Sequence, residues 1–262
     1  MTTTPEDNKD LNRSQFGANA NNYADSPVHA KGASLARMVE LAEPQSNWRA
    51  LDIATAAGHT AFAFAPHVAH VTAVDLTPEM VTLAAERAIE LGHDNVAAQL
   101  ADAEDLPFDD DSFELVTCRI APHHFPNPEM FINEVARVLA PGGLFVMVDN
   151  IASGDPDVAR FADDFERRRD PSHVRCLPVA EWTSLMSNAG LTVRTTETSS
   201  KRMGFEWWAN NMSVAEDVQA VLLAELHEAS PMVHEFLRPE GSTVPDTVFF
   251  LTEGLFVAAL PD

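Results

Sequence analysis

The sequence predicts an α/β fold in which helices cover both faces of a mostly parallel sheet. Strand-like and helix-like patterns alternate from residue 48 to residue 149, which is typical of a doubly wound parallel sheet. The chain has 262 residues, of which 45% are hydrophobic and 22% are charged, so it can bury one sizeable core. We therefore expect one main domain with an elaboration.

The amino-terminal region is polar. Residues 1–13 are predicted to be a disordered arm that precedes a single domain over 14–262. An amphipathic helix is predicted over 29–41. Signal peptides and membrane spans need apolar segments that this sequence does not have, so we expect a cytoplasmic protein.

The first half of the chain supplies the main core over 45–150. Short apolar runs predict strands, and a period of three to four residues predicts helices. The predicted strands are 48–54, 70–75, 96–101, 113–119 and 143–149, and the predicted helices are 59–66, 78–91 and 128–139. Pro141, Gly142 and Gly143 end the last of these helices and begin the next strand.

The second half has weaker patterns. Helices are predicted over 156–169 and 179–189, followed by a strand over 191–197. Residues 200–245 are predicted to be a helical insertion or lid between the last two main strands. The apolar runs 247–251 and 254–260 close the chain as one strand or as a hairpin.

Charge and cysteine content exclude several classes of function. The chain carries 17 basic against 40 acidic side chains, a net charge of −23, so binding to nucleic acid or to an anionic membrane is disfavoured. Cys118 and Cys176 form no C-x-x-C motif, and we find no Cys/His spacing suited to zinc. The sequence therefore predicts reduced thiols and no metal site.

The turn from Asp52 to Gly58 is the strongest functional signal. It lies between a strand and a helix, where helix N–H groups point at a ligand. Its small residues, Ala54, Ala56 and Gly58, follow an acid in an acid-x-small-x-small-x-Gly frame, which differs from the G-x-G-x-x-G of dinucleotide-binding enzymes. The spacing favours a cofactor other than NAD.

Two further acids follow the next two strands. Asp75 ends the second strand, where an open α/β sheet presents a carboxylate to ribose hydroxyls. Asp102 follows the third strand and is suited to accept a hydrogen bond from an adenine amino group. Either residue alone is equally well explained as a solvated loop residue or a helix cap, but the two together with the Asp52 frame favour a nucleoside site.

These motifs resemble the class I S-adenosylmethionine-dependent methyltransferases of the ubiquinone/menaquinone-biosynthesis-like group. The matching segments are ALDIATAAGHTA (50–61), VTAVDLTPEM (71–80), ADAEDLPFDDDSFELVTCRIAPHHF (101–125) and EVARVLAPGGLFVMVD (134–149). The segment 16–32 also resembles an arm that closes over the cofactor in one subgroup. The resemblance implies a seven-stranded sheet with an antiparallel last strand, and S-adenosyl-L-methionine as the cofactor.

The resemblance also assigns roles to individual residues. Asp52 and the turn that follows it would hold the methionine portion, and Asp75 would hold the ribose. Asp102 would contact the adenine edge, and Arg119 would lie near the cofactor carboxylate or the acceptor. The implied cofactor-binding residues are Asp52, Ala54, Thr55, Ala56, Gly58, His59, Thr60, Asp75, Leu76, Met80, Asp102, Ala103, Arg119 and Tyr23. Relatives generally carry glycine at the position of Ala56, so the alanine puts the strength of cofactor binding in question.

Candidates for a general base are His123, His124 and His29. The adjacent pair follows the fourth strand, at the edge of the sheet that faces a ligand, although each residue is also explained as a hydrogen-bonded loop histidine. Phe125, Trp207 and Trp208 are candidates for contact with the acceptor, with ordinary core packing as the alternative for the tryptophans. His29 is equally explained as a helix N-terminal residue.

The sequence thus predicts methyl transfer from S-adenosyl-L-methionine to a small-molecule acceptor by in-line displacement. A protein that keeps the fold and binds the cofactor or a related ligand without methylating is the alternative, motivated by Ala56. An NAD-dependent oxidoreductase is a remote third reading, because the spacing of the turn does not fit. The acceptor is left open, as is the oligomeric state, for which a homodimer is one possibility.

Overall fold

A computed structural model describes residues 4–20 and 32–261. Ten α-helices and seven strands are described below. The helices are α1 (Pro5–Ala18), α2 (Ala33–Ala42), α3 (His59–Phe64), α4 (Pro78–Leu91), α5 (Pro128–Val138), α6 (Pro156–Arg169), α7 (Val179–Asn188), α8 (Phe205–Asn210), α9 (Glu216–Glu228) and α10 (Pro231–Leu237). The strands are β1 (Arg49–Ile53), β2 (His70–Asp75), β3 (Val96–Leu100), β4 (Phe113–Arg119), β5 (Leu139–Asn150), β6 (Thr192–Gly204) and β7 (Val248–Ala259).

The seven strands form one sheet in the order β3-β2-β1-β4-β5-β7-β6. The first five strands run parallel, and β7 pairs antiparallel with both β5 and β6. This confirms the predicted doubly wound sheet with an antiparallel last strand. The strand order reverses between β1 and β4, and ligands of open α/β sheets bind outside the carboxyl ends of the strands at such a reversal.

A hydrophobic layer covers each face of the sheet. On one face, Phe131 of α5 and Trp182 of α7 pack over Val116 of β4, and all three are fully buried. On the other face, Met38 of α2 and Phe64 of α3 pack with the neighbouring residues of the same strands. Because side chains alternate across a strand, both layers draw on the near-continuous apolar runs seen in the sequence.

The carboxyl-terminal helices form a separate hydrophobic cluster next to the sheet. Trp208 is buried against Phe165 of α6, with ring centroids 4.8 Å apart in a stacked arrangement, and against Phe249 of β7. The helices of this region begin at Phe205, because β6 continues through Gly204. The helical part is therefore shorter than the insertion predicted over 200–245.

The two closing apolar runs form one continuous strand, and a hairpin there is wrong. Thr252, Glu253 and Gly254 interrupt the apolar pattern but stay within β7. Glu253 is buried and tolerated because the Lys201 ammonium of the neighbouring β6 lies 3.0 Å from its carboxylate. A buried charge that is paired in this way does not end a strand.

The amino-terminal prediction of disorder is wrong over 5–13, because Pro5–Ala18 is helical, and residues 1–3 lie outside the described residues. Thr4 and Asp7 form a reciprocal capping box, and Pro5 occupies the first turn. Lys9 then ties the helix to the sheet edge through Asp102 and Glu104. The helix buries no residue fully, so its composition resembles that of a disordered segment. Within the described residues, no helix combines the length and apolar character needed to cross a bilayer.

Candidate active site

The turn after β1 has an unusual backbone. Ala54, Ala56 and Gly58 have φ angles of +54°, +47° and +85°, in the left-handed region that suits glycine. At Gly58 a Cβ atom would lie 2.3 Å from the Phe62 ring, so glycine is required there by space as well as by φ. The two alanines hold the same kind of conformation at a cost of about 1–2 kcal/mol each.

Ala56→Gly is expected to raise stability and also affinity for the S-adenosyl cofactor that the sequence predicts for this cavity. Glycine relieves the left-handed strain, for a net stability gain of roughly 0.5–1 kcal/mol after its own entropy cost. It also removes a methyl group from a cavity wall, which we expect to tighten binding by about fivefold, or roughly 1 kcal/mol. Thermal melting and calorimetric titration with S-adenosylhomocysteine measure the two effects.

Ala57→Gly provides the matched control for that experiment. Ala57 lines the same cavity and is fully buried, but its φ is not positive. This variant should lose stability and gain no affinity. If Ala56→Gly behaved like Ala57→Gly, the strained turn would not be what limits binding.

Asp52 supports the turn from beneath and does not reach the cavity. Its carboxylate accepts hydrogen bonds from the Thr55 and Thr117 hydroxyls at 2.7 and 2.8 Å, and from the Ala61 N–H at 3.1 Å. Burial, only partly offset by these bonds, raises its pKa to about 6. Asp52, predicted to bind the cofactor, therefore lies outside the cavity lining and fixes the turn that lines it.

Asp75 joins the turn to the next strand and lines the cavity. One carboxylate oxygen accepts the Ala56 N–H and the other accepts the Thr77 N–H, both at 2.9 Å. Burial raises the pKa of Asp75 despite these bonds. Because a carboxylate has about four acceptor positions, each oxygen can accept one further hydrogen bond from a ligand.

Asp102 is held by the amino-terminal helix. The Lys9 ammonium lies 2.6 Å from one Asp102 oxygen and 2.8 Å from a Glu104 oxygen. The other Asp102 oxygen accepts the Glu104 N–H. Lys9 thus reaches the position where the sequence predicts contact with an adenine edge. Lys9 is not among the predicted site residues, because the sequence predicts disorder over 1–13.

The first cavity lies at the carboxyl ends of β1, β2, β3 and β4 and encloses about 950 Å³, including its open mouth. Most of the predicted cofactor-binding residues among the described residues line it: Ala54, Thr55, Ala56, His59, Thr60, Asp75, Leu76, Asp102, Ala103 and Arg119. Gly58 and Met80 do not. Met80 is buried beneath the turn against Ala57, so its predicted contact with the adenine face is not found.

The second cavity adjoins the first and encloses about 630 Å³. Phe16, Ile120 and His124 line both cavities and form their common boundary. Ile120 has a φ of +54°, which is exceptional for a β-branched residue and is a type of strain found at functional sites.

The predicted acceptor residues divide between the two cavities. Trp207 and Trp208 line the second cavity together with both histidines of the pair. Trp208 is also a core residue of the carboxyl-terminal cluster, which confirms the core-packing explanation, and its contact with an acceptor stays a prediction. Phe125 lies instead at the first cavity. The geometry therefore brings His124 and the tryptophans together and leaves Phe125 apart.

The adjacent histidines have opposite environments. The His123 Nδ1 atom lies 2.5 Å from an Asp149 oxygen. Burial alone would lower the His123 pKa, but the charge and hydrogen bond of Asp149 outweigh it and raise that pKa. Burial and the nearby charge of His123 lower the His124 pKa to about 3.

His124 is fixed in one orientation. Its Nδ1 atom lies 3.2 Å from the Ser172 carbonyl oxygen, so we assign the proton to Nδ1 and the lone pair to Nε2. Its ring meets the Phe16 ring edge-on at 5.0 Å. A neutral imidazole therefore stands between the two cavities.

Comparisons with known proteins agree with this architecture. The methyltransferase domain family matches residues 51–147. The methyltransferase YcgJ of Bacillus subtilis is 39% identical over 219 residues, which are 84% of this chain and 87% of the relative. The chain belongs to the methyltransferase family.

A solved structure and a named enzyme extend the comparison. The crystal structure of a methyltransferase from Bacillus halodurans matches with a TM-score of 0.85 at 33% identity, over 88% of this chain and all of that one. The demethylmenaquinone methyltransferase of Clavibacter sepedonicus is 36% identical over 132 residues, half of this chain and 53% of that enzyme.

Two predicted site residues of this methyltransferase, Tyr23 and His29, lie outside the described residues. Residues that the sequence analysis did not single out come mainly from α1, where Lys9, Asn12 and Phe16 line the first cavity. The sequence feature that indicates this helix is the capping box from Thr4 to Asp7, which predicts a helix start.

Proposed function

We propose that this methyltransferase transfers the methyl group of S-adenosyl-L-methionine to a small-molecule acceptor. The observation that carries the proposal is one continuous arrangement at the strand ends: Asp75 and the left-handed turn line the first cavity, and His124 separates it from the second. The family assignment supports methyl transfer in general terms.

The residues of the first cavity fit this cofactor. The two Asp75 oxygens would accept the ribose hydroxyls, and Leu76 would cover one face of the adenine. Asp102 and Ala103 would lie at the adenine edge. The exposed backbone of the turn and the buried Arg119 guanidinium, which also lines the cavity, would hold the methionine portion, since arginine pairs well with a carboxylate.

When bound, the cofactor would supply a methyl group on a positively charged sulfur. The protein would contribute mainly alignment of the acceptor, because well-oriented reactants can recover about 7–11 kcal/mol of the barrier. His124 would take the proton that the acceptor loses, through its Nε2 lone pair. Its low pKa keeps the imidazole neutral at neutral pH but makes it a weak base, so it would accept a proton only from an acceptor whose proton becomes strongly acidic as methylation proceeds.

The second cavity would hold the acceptor. Trp207 and Trp208 offer flat apolar walls, whereas Arg169, Lys201 and Asn150 offer polar contacts. The Arg169 guanidinium lies 5.2 Å above the Trp208 ring and also donates to the Trp208 carbonyl oxygen. A small molecule with one flat face and several polar groups would match this lining.

Calorimetric titration with S-adenosyl-L-methionine and S-adenosylhomocysteine tests the cofactor. We expect both to bind, and an acceptor panel of ring hydroxyls, amines and quinone-like compounds then tests turnover. The proposal would be refuted if neither ligand bound at millimolar concentration. It would also be refuted if a nicotinamide dinucleotide bound more tightly than S-adenosyl-L-methionine.

The strained alanines favour one second candidate, a protein that binds the cofactor without methylating. Ala56 lines the first cavity with a φ of +47°, in the left-handed region where glycine is expected. Cofactor binding without methyl loss across the acceptor panel supports this second candidate, and turnover of any acceptor excludes it.

A further inference from the structure

Three potential metal ligands lie together behind the second cavity. Asp163 is on α6, and His173 and Cys176 are on the loop that follows this helix. One ligand atom from each residue lies within 4.8 Å of the other two. The His173 Nε2 atom is 2.8 Å from an Asp163 oxygen, and both residues are buried. A carboxylate, an imidazole and a thiol therefore converge away from the surface.

Backbone hydrogen bonds hold the loop in this position. The Cys176 N–H donates to the same Asp163 oxygen at 3.0 Å. The N–H groups of Val174 and Arg175 both donate to the His123 carbonyl oxygen, at 3.0 and 3.1 Å. The ligands would thus be presented by a loop that is already ordered, which lowers the entropy cost of binding an ion.

The spacing within the loop is also suited to a metal. His173 and Cys176 are separated by two residues, a separation common between neighbouring ligands in structural zinc sites. The prediction that no Cys/His spacing suits zinc did not include this pair. The third ligand, Asp163, lies ten residues before His173 on a helix, and only the fold brings it alongside.

The charges around Cys176 favour a cation. The carboxylates of Asp163 and Glu166 line the same small cavity as Cys176. Asp149 is fully buried, and one of its oxygens has no hydrogen-bond partner among the described residues. A divalent ion would offset this concentration of buried carboxylates.

We propose that Asp163, His173 and Cys176 bind a divalent transition-metal ion of the zinc type. Oxygen, nitrogen and sulfur donors together select zinc over calcium or magnesium, which prefer oxygen ligands alone. Small shifts of the three side chains would bring their donor atoms to about 2.0–2.3 Å from the ion. Metal binding would release the thiol proton to solvent, move the His173 proton from Nε2 to Nδ1, and replace the Asp163–His173 hydrogen bond with two metal bonds.

A fourth position is open toward a small neighbouring cavity. Asp163 and Cys176 line this cavity together with Asn150 and Glu166, and it encloses about 390 Å³. A water molecule there would complete a four-coordinate site. The same loop carries Ser172, which holds His124, so the metal would stabilise the loop that orients this histidine.

Titration of the metal-free full-length protein with Co²⁺ tests the proposal. A tetrahedral thiolate site should give intense visible bands and a sulfur-to-cobalt charge-transfer band in the near ultraviolet, saturating at one equivalent. Cys176→Ser should abolish the charge-transfer band, whereas Cys118→Ser, which removes the other thiol, buried in β4, should retain it. Asp163→Asn should weaken Co²⁺ binding by at least about tenfold.

The melting temperature of the wild-type protein gives a second readout, which does not require any variant to fold. Zn²⁺ should raise the melting temperature of the wild-type protein, and a chelator should reverse the effect, because a ligand that binds only the folded state stabilises it. The proposal is overturned if wild-type protein gives no cobalt-thiolate band at saturating Co²⁺, if Cys176→Ser keeps that band, or if Zn²⁺ leaves the melting temperature unchanged.

Discussion

Replacing Asp75 with asparagine is expected to weaken binding of S-adenosylhomocysteine by at least about a hundredfold. Hydrogen bonds to charged groups contribute about 1.5–3 kcal/mol each, and asparagine can offer the ribose only one oxygen and no charge. Its amide N–H₂ group would also face the N–H of Ala56 or Thr77, where Asp75 now accepts a hydrogen bond. We therefore expect loss of affinity together with some loss of stability.

Asp105→Asn is the control for this experiment. Asp105 lies at the same edge of the sheet, but its side chain is exposed and does not line the first cavity. Calorimetric titration should show near wild-type affinity for this variant, and circular dichroism should show both variants folded. Equal affinities of the two variants would contradict the assignment of Asp75 to the ribose.

Replacing His124 with glutamine is expected to lower kcat by about a hundredfold or more, the usual contribution of general base catalysis. Glutamine can keep a hydrogen bond to Ser172, but its amide cannot accept a proton from the acceptor. Cofactor affinity should change by less than about threefold, because His124 lies at the boundary of the cavity and not at its ribose end. Steady-state kinetics with an acceptor found in the panel would separate kcat from KM.

His70→Gln is the matched control for the His124 variant. His70 is exposed at the first residue of β2, on the edge of the sheet opposite the two cavities. This substitution should leave kcat and KM unchanged. An unchanged kcat in His124→Gln would show that alignment alone supports transfer and that His124 serves only to pack against Phe16 and Ser172.

Local sequence patterns predicted most elements of the fold. Helices Pro78–Leu91 and Pro156–Arg169 and strand Phe113–Arg119 have the bounds expected from the sequence. Their caps and apolar periods are local signals that the tertiary structure does not override. The error at α1 and the open choice between one strand and a hairpin at β7 arise where a distant partner decides: Lys9 needs Asp102, and Glu253 needs Lys201.

The candidate site shows the same division. The sequence by itself determined the doubly wound sheet and the edge at which Asp75, Asp102 and the histidine pair meet, because parallel strands place their carboxyl ends together. It also located the turn in which Ala56 stands where glycine is expected.

Only the tertiary structure decided what each side chain contacts at that edge. It turned Asp52 into the support of the turn, gave His123 and His124 opposite pKa shifts, and brought Asp163 beside His173 and Cys176. These outcomes depend on burial and on partners from distant segments, and a local hydrophobic pattern carries no information about either.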